Sequence, residues 1–198
     1  MDAGTSFTYM LKQDRGITKL LIGGLLMFVP ILGWALVGGY GLRTMRAIAD
    51  GDDNLPEWTD WGELFIKGLL AWLISIAFDV PGLILGRLGS AGTFLSGLWG
   101  IVVLIVLPAA LLRFATRDTF AAAFEFSAII DFIKANSSNY VLAVILGIVA
   151  SIIAGFGVIL LVVGLAFTYF WAVLVWSHLM GSVYRAGGSA TGTGVTRA

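Results

Sequence analysis

The chain has 198 residues, with twelve basic and twelve acidic side chains, one histidine and no cysteine. Charged residues make up 12% and hydrophobic ones 59%, with a mean hydropathy of +0.95, where a soluble domain carries about 25% charge. That composition excludes disulfides, thiolate metal sites and cysteine nucleophiles, offers nucleic acid no basic face, and puts the chain in a membrane.

The elements follow in chain order. Ser6–Lys19 sets Phe7, Met10, Leu11 and Ile17 against Lys12, Asp14 and Arg15, the pattern of a helix lying in the membrane interface. The start is polar with both charge signs and lacks a small-residue cleavage site, so the next apolar run is read as a retained membrane segment rather than a signal peptide. That run, Leu20–Leu42, is free of charge for 23 residues. Its length suits one crossing, while Val29-Pro30-Ile31-Leu32-Gly33 offers a break at which it dips in and returns.

Asp50–Glu63 reads DGDDNLPEWTDWGE, six acids and no base. Pro56 biases Leu55 away from helix. Asp60 with Glu63 resembles a capping box, and Trp58 and Trp61 suit the headgroup level. The stretch is an interfacial loop anchoring the next span, and Leu55, Pro56, Trp58, Asp60 and Trp61 are the candidates for docking a partner or a neighbouring part of the chain. Its acids lack the loop spacing of an EF-hand.

Gly68–Phe78, extended back through Lys67 and Leu64, is the second apolar block. Asp79 follows in Asp79-Val80-Pro81-Gly82, which reads as a turn with Asp79 capping a short helix Leu83–Leu88 and Arg87 as its counter-charge. The sharper reading puts Asp79, or Lys67, on a polar path through the membrane, because ionisable residues at such depth mark ion and proton routes. Leu88–Leu112 is the third block. Asp118–Lys134 alternates Phe120, Phe124, Ile129, Phe132 and Ile133 with charges, a second interfacial helix.

Ala135–Tyr184 contains no Asp, Glu, Lys or Arg for fifty residues. As one helix it would be roughly 75 Å long, against a hydrocarbon core of about 30 Å. It therefore makes two spans, near Asn139–Ala154 and Val158–Met180, joined at Gly155-Phe156-Gly157. Ala143, Gly147, Ser151 and Gly155 recur at four-residue steps on the first, and Gly164 heads a similar stripe on the second. Small residues so spaced let helices approach closely in lipid. His178, the one histidine, is a weak candidate for ligating a haem or chlorophyll-type metal; hydrogen bonding to a neighbouring helix is its plainer role. No cofactor or metal is expected, and no nucleophile elbow, P-loop or HExxH motif points to an enzyme.

Lys and Arg collect on the cytoplasmic side. One crossing by Leu20–Leu42 divides the twelve bases 8 to 4; a dip and return leaves Arg87 alone outside, 11 to 1. The charge rule favours the second arrangement and length the first. Both put the C-terminus with Arg113 and Arg117.

Gly39-Tyr40-Gly41-Leu42-Arg43 with Arg46 and Gly51, then Leu55-Pro56-Glu57-Trp58 with Asp60-Trp61-Gly62, Leu64-Phe65 and Lys67-Gly68-Leu69, and finally His178-Leu179-Met180-Gly181 with Tyr184, stand in an order that resembles the bacterial and archaeal membrane-protein family catalogued as domain of unknown function 4013. The likeness covers almost the whole chain, and the Leu-Pro-x-Trp-x-Asp-Trp-Gly stretch is its most specific part. The resemblance implies a small multi-span protein and carries over no functional residues.

The expected fold is an all-α integral membrane protein of four or five transmembrane helices, with a re-entrant N-terminal helical hairpin as one option and interfacial amphipathic helices. Residues 1–185 form one membrane domain and 186–198 a flexible Gly/Ser/Thr-rich tail. The expected role is structural or accessory, as a homo-oligomer or a small subunit of a larger membrane complex, in the cytoplasmic membrane of a prokaryote with its C-terminus inside. A small transporter or channel using Asp79 or Lys67 is the alternative. Expected partners are the lipid bilayer and further copies or other membrane subunits, not nucleic acid.

Overall fold

The computed structural model describes residues 3–13, 15–156 and 161–190. Among the described residues there are eight α-helices, two short 3-10 turns and no strand. The helices are α1 (Ala3–Thr8), α2 (Gly16–Leu26), α3 (Leu32–Ala49), α4 (Trp61–Leu85), α5 (Gly89–Arg117), α6 (Phe126–Ala135), α7 (Ser137–Gly155) and α8 (Leu161–Ala190). Four of them, α4, α5, α7 and α8, are long and apolar enough to cross a membrane.

The first apolar block does not cross once. It breaks at Met27–Ile31, where Ile31 takes φ 64 and ψ −64 and the Leu32 amide bonds the Pro30 carbonyl at 2.7 Å. The turn supplies most of its own hydrogen bonds: Gly33 N–H donates to Val29 O, Ala35 N–H to Ile31 O, and the Trp34 indole to Met27 O. A turn set in lipid needs such internal partners, since no water is there to replace them. Both outer ends of the hairpin meet the same loop. Lys19 at the start of α2 donates to Leu55 O, and Arg43 near the end of α3 donates to Thr59 O. The chain thus returns to the face from which it came, and α2, with 11 residues, extends only about 16 Å.

α3 is the hub, packed on both α4 and α8. Apolar side chains gain little by leaving lipid for protein, so close backbone approach and cross-helix hydrogen bonds hold such bundles. A Cβ on Gly39 would lie 1.9 Å from Leu64 O, and one on Gly68 would lie 1.8 Å from Ala35 O. The two glycines let α3 and α4 cross with their backbones in contact. α7 and α8 pair in the same manner, with Gly147 under the Trp176 indole and the Thr168 hydroxyl donating to Ala154 O.

Asp79-Val80-Pro81-Gly82 is not a turn, and Leu83–Leu88 is not a separate helix. α4 runs without interruption through Pro81 to Leu85. Proline is tolerated in a span when neighbouring groups satisfy the backbone it disturbs. Here the Trp99 indole of α5 donates to Phe78 O, three residues before Pro81, at 2.8 Å. α5 holds Pro108 in the same way: the Tyr140 hydroxyl of α7 donates to Ile105 O, again three residues earlier, at 2.6 Å.

The stretch after α5 divides into a 3-10 turn, Phe120–Phe124, and the amphipathic α6, which buries Ile129 and exposes Phe126 and Ile130. Gly157, part of the expected turn between the last two spans, and Val158 lie outside the described residues. α8 continues ten residues past Met180 to Ala190, and Gly187 lies against the Asn136 side chain; residues 191–198 of the expected tail lie outside the described residues.

Candidate functional site

The polar residues converge on one end of the bundle, around the loop between α3 and α4. Leu55 is 2% exposed and sits beneath the loop as its apolar anchor. Gln13 holds this segment from the N-terminal side, accepting from Leu55 N–H and donating to Asp53 O. The Lys19 ammonium is almost fully buried; it donates to Leu55 O at 2.6 Å and pairs with Glu57 at 2.8 Å. The Tyr40 hydroxyl donates to Pro56 O at 2.7 Å. Trp58 stacks on the Tyr40 ring, with centroids 4.0 Å apart and planes 15° apart, touches Phe170 and Trp61, and donates its indole N–H to Lys19 O. One short loop therefore grips α2, α3 and α8 together. Arg185, at the far end of the sequence, pairs with Asp53 at 2.8 Å.

Beside this clamp runs a line of alternating charges. Arg43 reaches Glu63 at 3.2 Å and Asp60 at 3.7 Å; Lys67 bridges Glu63 at 2.7 Å and Asp118 at 3.1 Å; Arg46 meets Asp118 at 3.3 Å. Arg113 pairs with Glu125. The hydrogen bond from Lys67 holds the Asp118 carboxyl below its ordinary range, and the hydrogen bond from Lys19 does the same for Glu57. Asp60 stands before α4 in a left-handed conformation and makes no capping hydrogen bond. The capping-box expectation fails because Arg43 draws the Asp60 and Glu63 carboxylates onto itself.

Each candidate from the sequence has a place. Leu55, Pro56 and Trp58 are turned inward onto the chain's own helices, while Asp60 and Trp61 are exposed at the edge of the loop. Lys67 is closed into ion pairs at the polar end. Ala143 and Gly147 lie in the α7–α8 seam, joined by Ala150 and Ala154 as the helix turns. Ser151 stands at the rim, accepting from the Trp176 indole. Gly155 has open space where a Cβ would stand and leaves the seam, because a strict four-residue step drifts around a helix of 3.6 residues per turn. Gly164 accepts a hydrogen bond from Thr168. His178 is 5% exposed, with its Nδ1 2.9 Å from the Ser6 hydroxyl and its ring against Tyr9. It holds the N-terminal segment on α8.

Asp79 stands apart. It is exposed on α4 and has no ion pair or hydrogen bond among the described residues; Arg87 is not its partner. A cavity of about 440 Å³ opens beside the tip of the α2–α3 hairpin and the first turns of α3, walled by Trp34, Val37, Gly38, Trp72, Tyr169 and Val173. The sequence had offered no signal for this cavity. Lys19, Tyr40, Arg43 and Asp118 were not singled out as a set either, because they lie on different elements; the positions of Tyr40 and Arg43 just before the acidic loop were the one hint.

A family model described as a protein of unknown function (DUF4013) matches residues 22–163. The chain is similar to the uncharacterised protein MJ1189 of Methanocaldococcus jannaschii, 26% identical over 155 residues, covering 69% of this chain and 54% of that protein. The chain thus spans about half the length of this relative. No solved structure matches.

Proposed function

The chain belongs to the DUF4013 family of proteins of unknown function, and from that premise we propose that it is a structural or accessory integral membrane protein, not an enzyme, which associates laterally as a homo-oligomer or as a small subunit of a larger membrane complex. One contrast among the span glycines carries the reading. Gly39, Gly68 and Gly147 are each filled by a neighbour inside the bundle, whereas a Cβ on Gly97 or Gly100 would meet nothing within 4 Å. With Thr93 and Leu104 they follow one another at three- and four-residue steps along the outer side of α5, an empty groove of the kind on which a second helix packs in lipid.

The polar end faces the cytoplasm of a prokaryotic cell in this reading. Among the described residues, every base but Arg87 belongs to the end of the bundle where the returning hairpin's outer ends lie, as the positive-inside rule requires, which supports a C-terminus inside. A cysteine introduced at Asp2 is then labelled from the cytoplasmic side; labelling from outside overturns the orientation. For association, energy transfer between differently labelled copies in vesicles falls when Gly97 and Gly100 are both changed to leucine. A wild-type chain that stays monomeric in bilayers and purifies without membrane partners sinks the proposal. The alternative, a small transporter or channel, draws on unpaired Asp79; Lys67, locked in ion pairs, supports it less. Ion flux through vesicles that vanishes in Asp79→Asn favours that alternative.

A further inference from the structure

The α2–α3 hairpin ends less than halfway along α4. Its two outer ends lie at the polar end, where Lys19 and Arg43 bond the loop that carries Trp58. Near its tip, the Trp34 ring lies 6.4 Å from that of Trp72 on α4. Trp72 is eleven residues into α4 from Trp61, a rise of about 16 Å. The helix then runs on for thirteen residues to Leu85, about 20 Å further. α2 also extends about 16 Å, the depth of one leaflet in a hydrocarbon core about 30 Å thick.

α2 adds width to the bundle. Its inner face is pressed on α8, with Gly23 against Phe170 and Gly24 against Phe167. Its outer face carries the exposed Ile17, Leu21 and Leu25, followed by Phe28 in the turn. Level with the hairpin, α2, α3, α4, α5, α7 and α8 pack side by side. Beyond its tip, among the described residues, no more than the four helices long enough to cross continue. A helix with its side chains is about 10–12 Å across, so the hairpin adds about 200 Å² to the leaflet at the polar end and nothing to the other.

A bent bilayer gives its convex leaflet more area than its concave one, and helices inserted into one leaflet alone respond to that curvature. We propose that the protein is a wedge that gathers in curved membrane with its polar end on the convex side. The surface it fits is the curved lipid leaflet itself. Its wide end fills area that the convex leaflet gains, and its narrow end suits the crowded concave leaflet. The wedge does not depend on association through α5, and it is defined by the polar end rather than by a compartment. With the polar end in the cytoplasm, as proposed above, the favoured membrane bulges into the cell.

The test pulls a thin tube outward from a giant vesicle of zwitterionic lipid that holds the full chain at low density. The chain has no cysteine, so an impermeant fluorescent maleimide reports orientation. On Asp52→Cys it marks only copies with the polar end outward, and on Ser90→Cys only copies with that end inward; both positions are exposed. In a tube about 20 nm in radius, measured against a lipid dye, Asp52→Cys copies should be enriched about twofold and Ser90→Cys copies depleted about as much. Leu21→Ala, Leu25→Ala and Phe28→Ala together trim the hairpin where it faces lipid and should lower both effects. Equal partition of the two labelled populations overturns the proposal. So does enrichment of the Ser90→Cys copies instead, or an enrichment unchanged in the triple Ala variant. That variant alters only exposed side chains, so it folds as the wild type does, and native circular dichroism is the control.

Discussion

The two halves of α4 are built from the same kind of apolar helix and serve differently. In the lower half, Leu64 and Gly68 are pressed against α3, and Lys67 is enclosed by Glu63 and Asp118. In the upper half, α3 has turned back, Asp79 has no partner among the described residues, and contact is with α5 through Phe78, Gly82 and Trp99 and with Phe124 and Phe126 through the Phe78 ring. Depth in the sequence does not distinguish a structural charge from an available one. The reach of the neighbouring helix does: a short α2–α3 hairpin covers one half of α4 and uncovers the other.

The largest expected effect that probes this contrast is Gly68→Val. Its Cβ would overlap Ala35 O, so α3 and α4 must separate, at a cost of about 3 kcal/mol, read from unfolding in mixed micelles; a stability equal to wild type would refute the close crossing. Lys19→Met should cost about 2 kcal/mol, because Leu55 O loses its donor inside the clamp, and protease sensitivity should rise first at the Asp50–Asp60 loop. Lys67→Gln should cost less, under about 1 kcal/mol, since its partners remain half in water.

Acid should loosen the polar end and leave the upper half alone. Glu57 and Asp118 titrate below their ordinary values of 4.5 and 3.8 because Lys19 and Lys67 hydrogen-bond the charged forms. Groups depressed in the folded state contribute stability that is complete above those ordinary values and is lost as pH falls through the folded ones. Stability should therefore decline as pH drops below about 4.5, and less steeply in Lys67→Gln, measured as the unfolding midpoint against pH. The smallest effect belongs to Asp79→Asn, within about 0.5 kcal/mol of wild type. A larger loss would mean that the upper half of α4 also depends on its charge.

Much of the architecture was legible from residue order. The fifty-residue silence at Ala135–Tyr184 required two spans, and the crowding of bases pointed to a first block that returns. Proline misled the reading at Asp79–Gly82, because a Pro-Gly pair marks a turn in water, while in a span a neighbouring indole can complete the disturbed backbone. The acidic loop read as an interfacial anchor, or as docking on a partner or a neighbouring part of the chain; Leu55, Pro56 and Trp58 turn onto the chain's own helices while Trp61 stays exposed, since Tyr40, Lys19 and Phe170 offer partners that are distant in sequence.

The sequence by itself determined that this protein lives in a membrane and that its last apolar run makes two spans, because hydropathy and charge are local properties that the bilayer sorts directly; whether the first block crosses or returns took the structure. Only the tertiary structure decided that Lys67 is closed into ion pairs while Asp79 is exposed, with no ion pair or hydrogen bond among the described residues. Both are ionisable residues on one apolar helix, and what separates them is how far α3 reaches alongside.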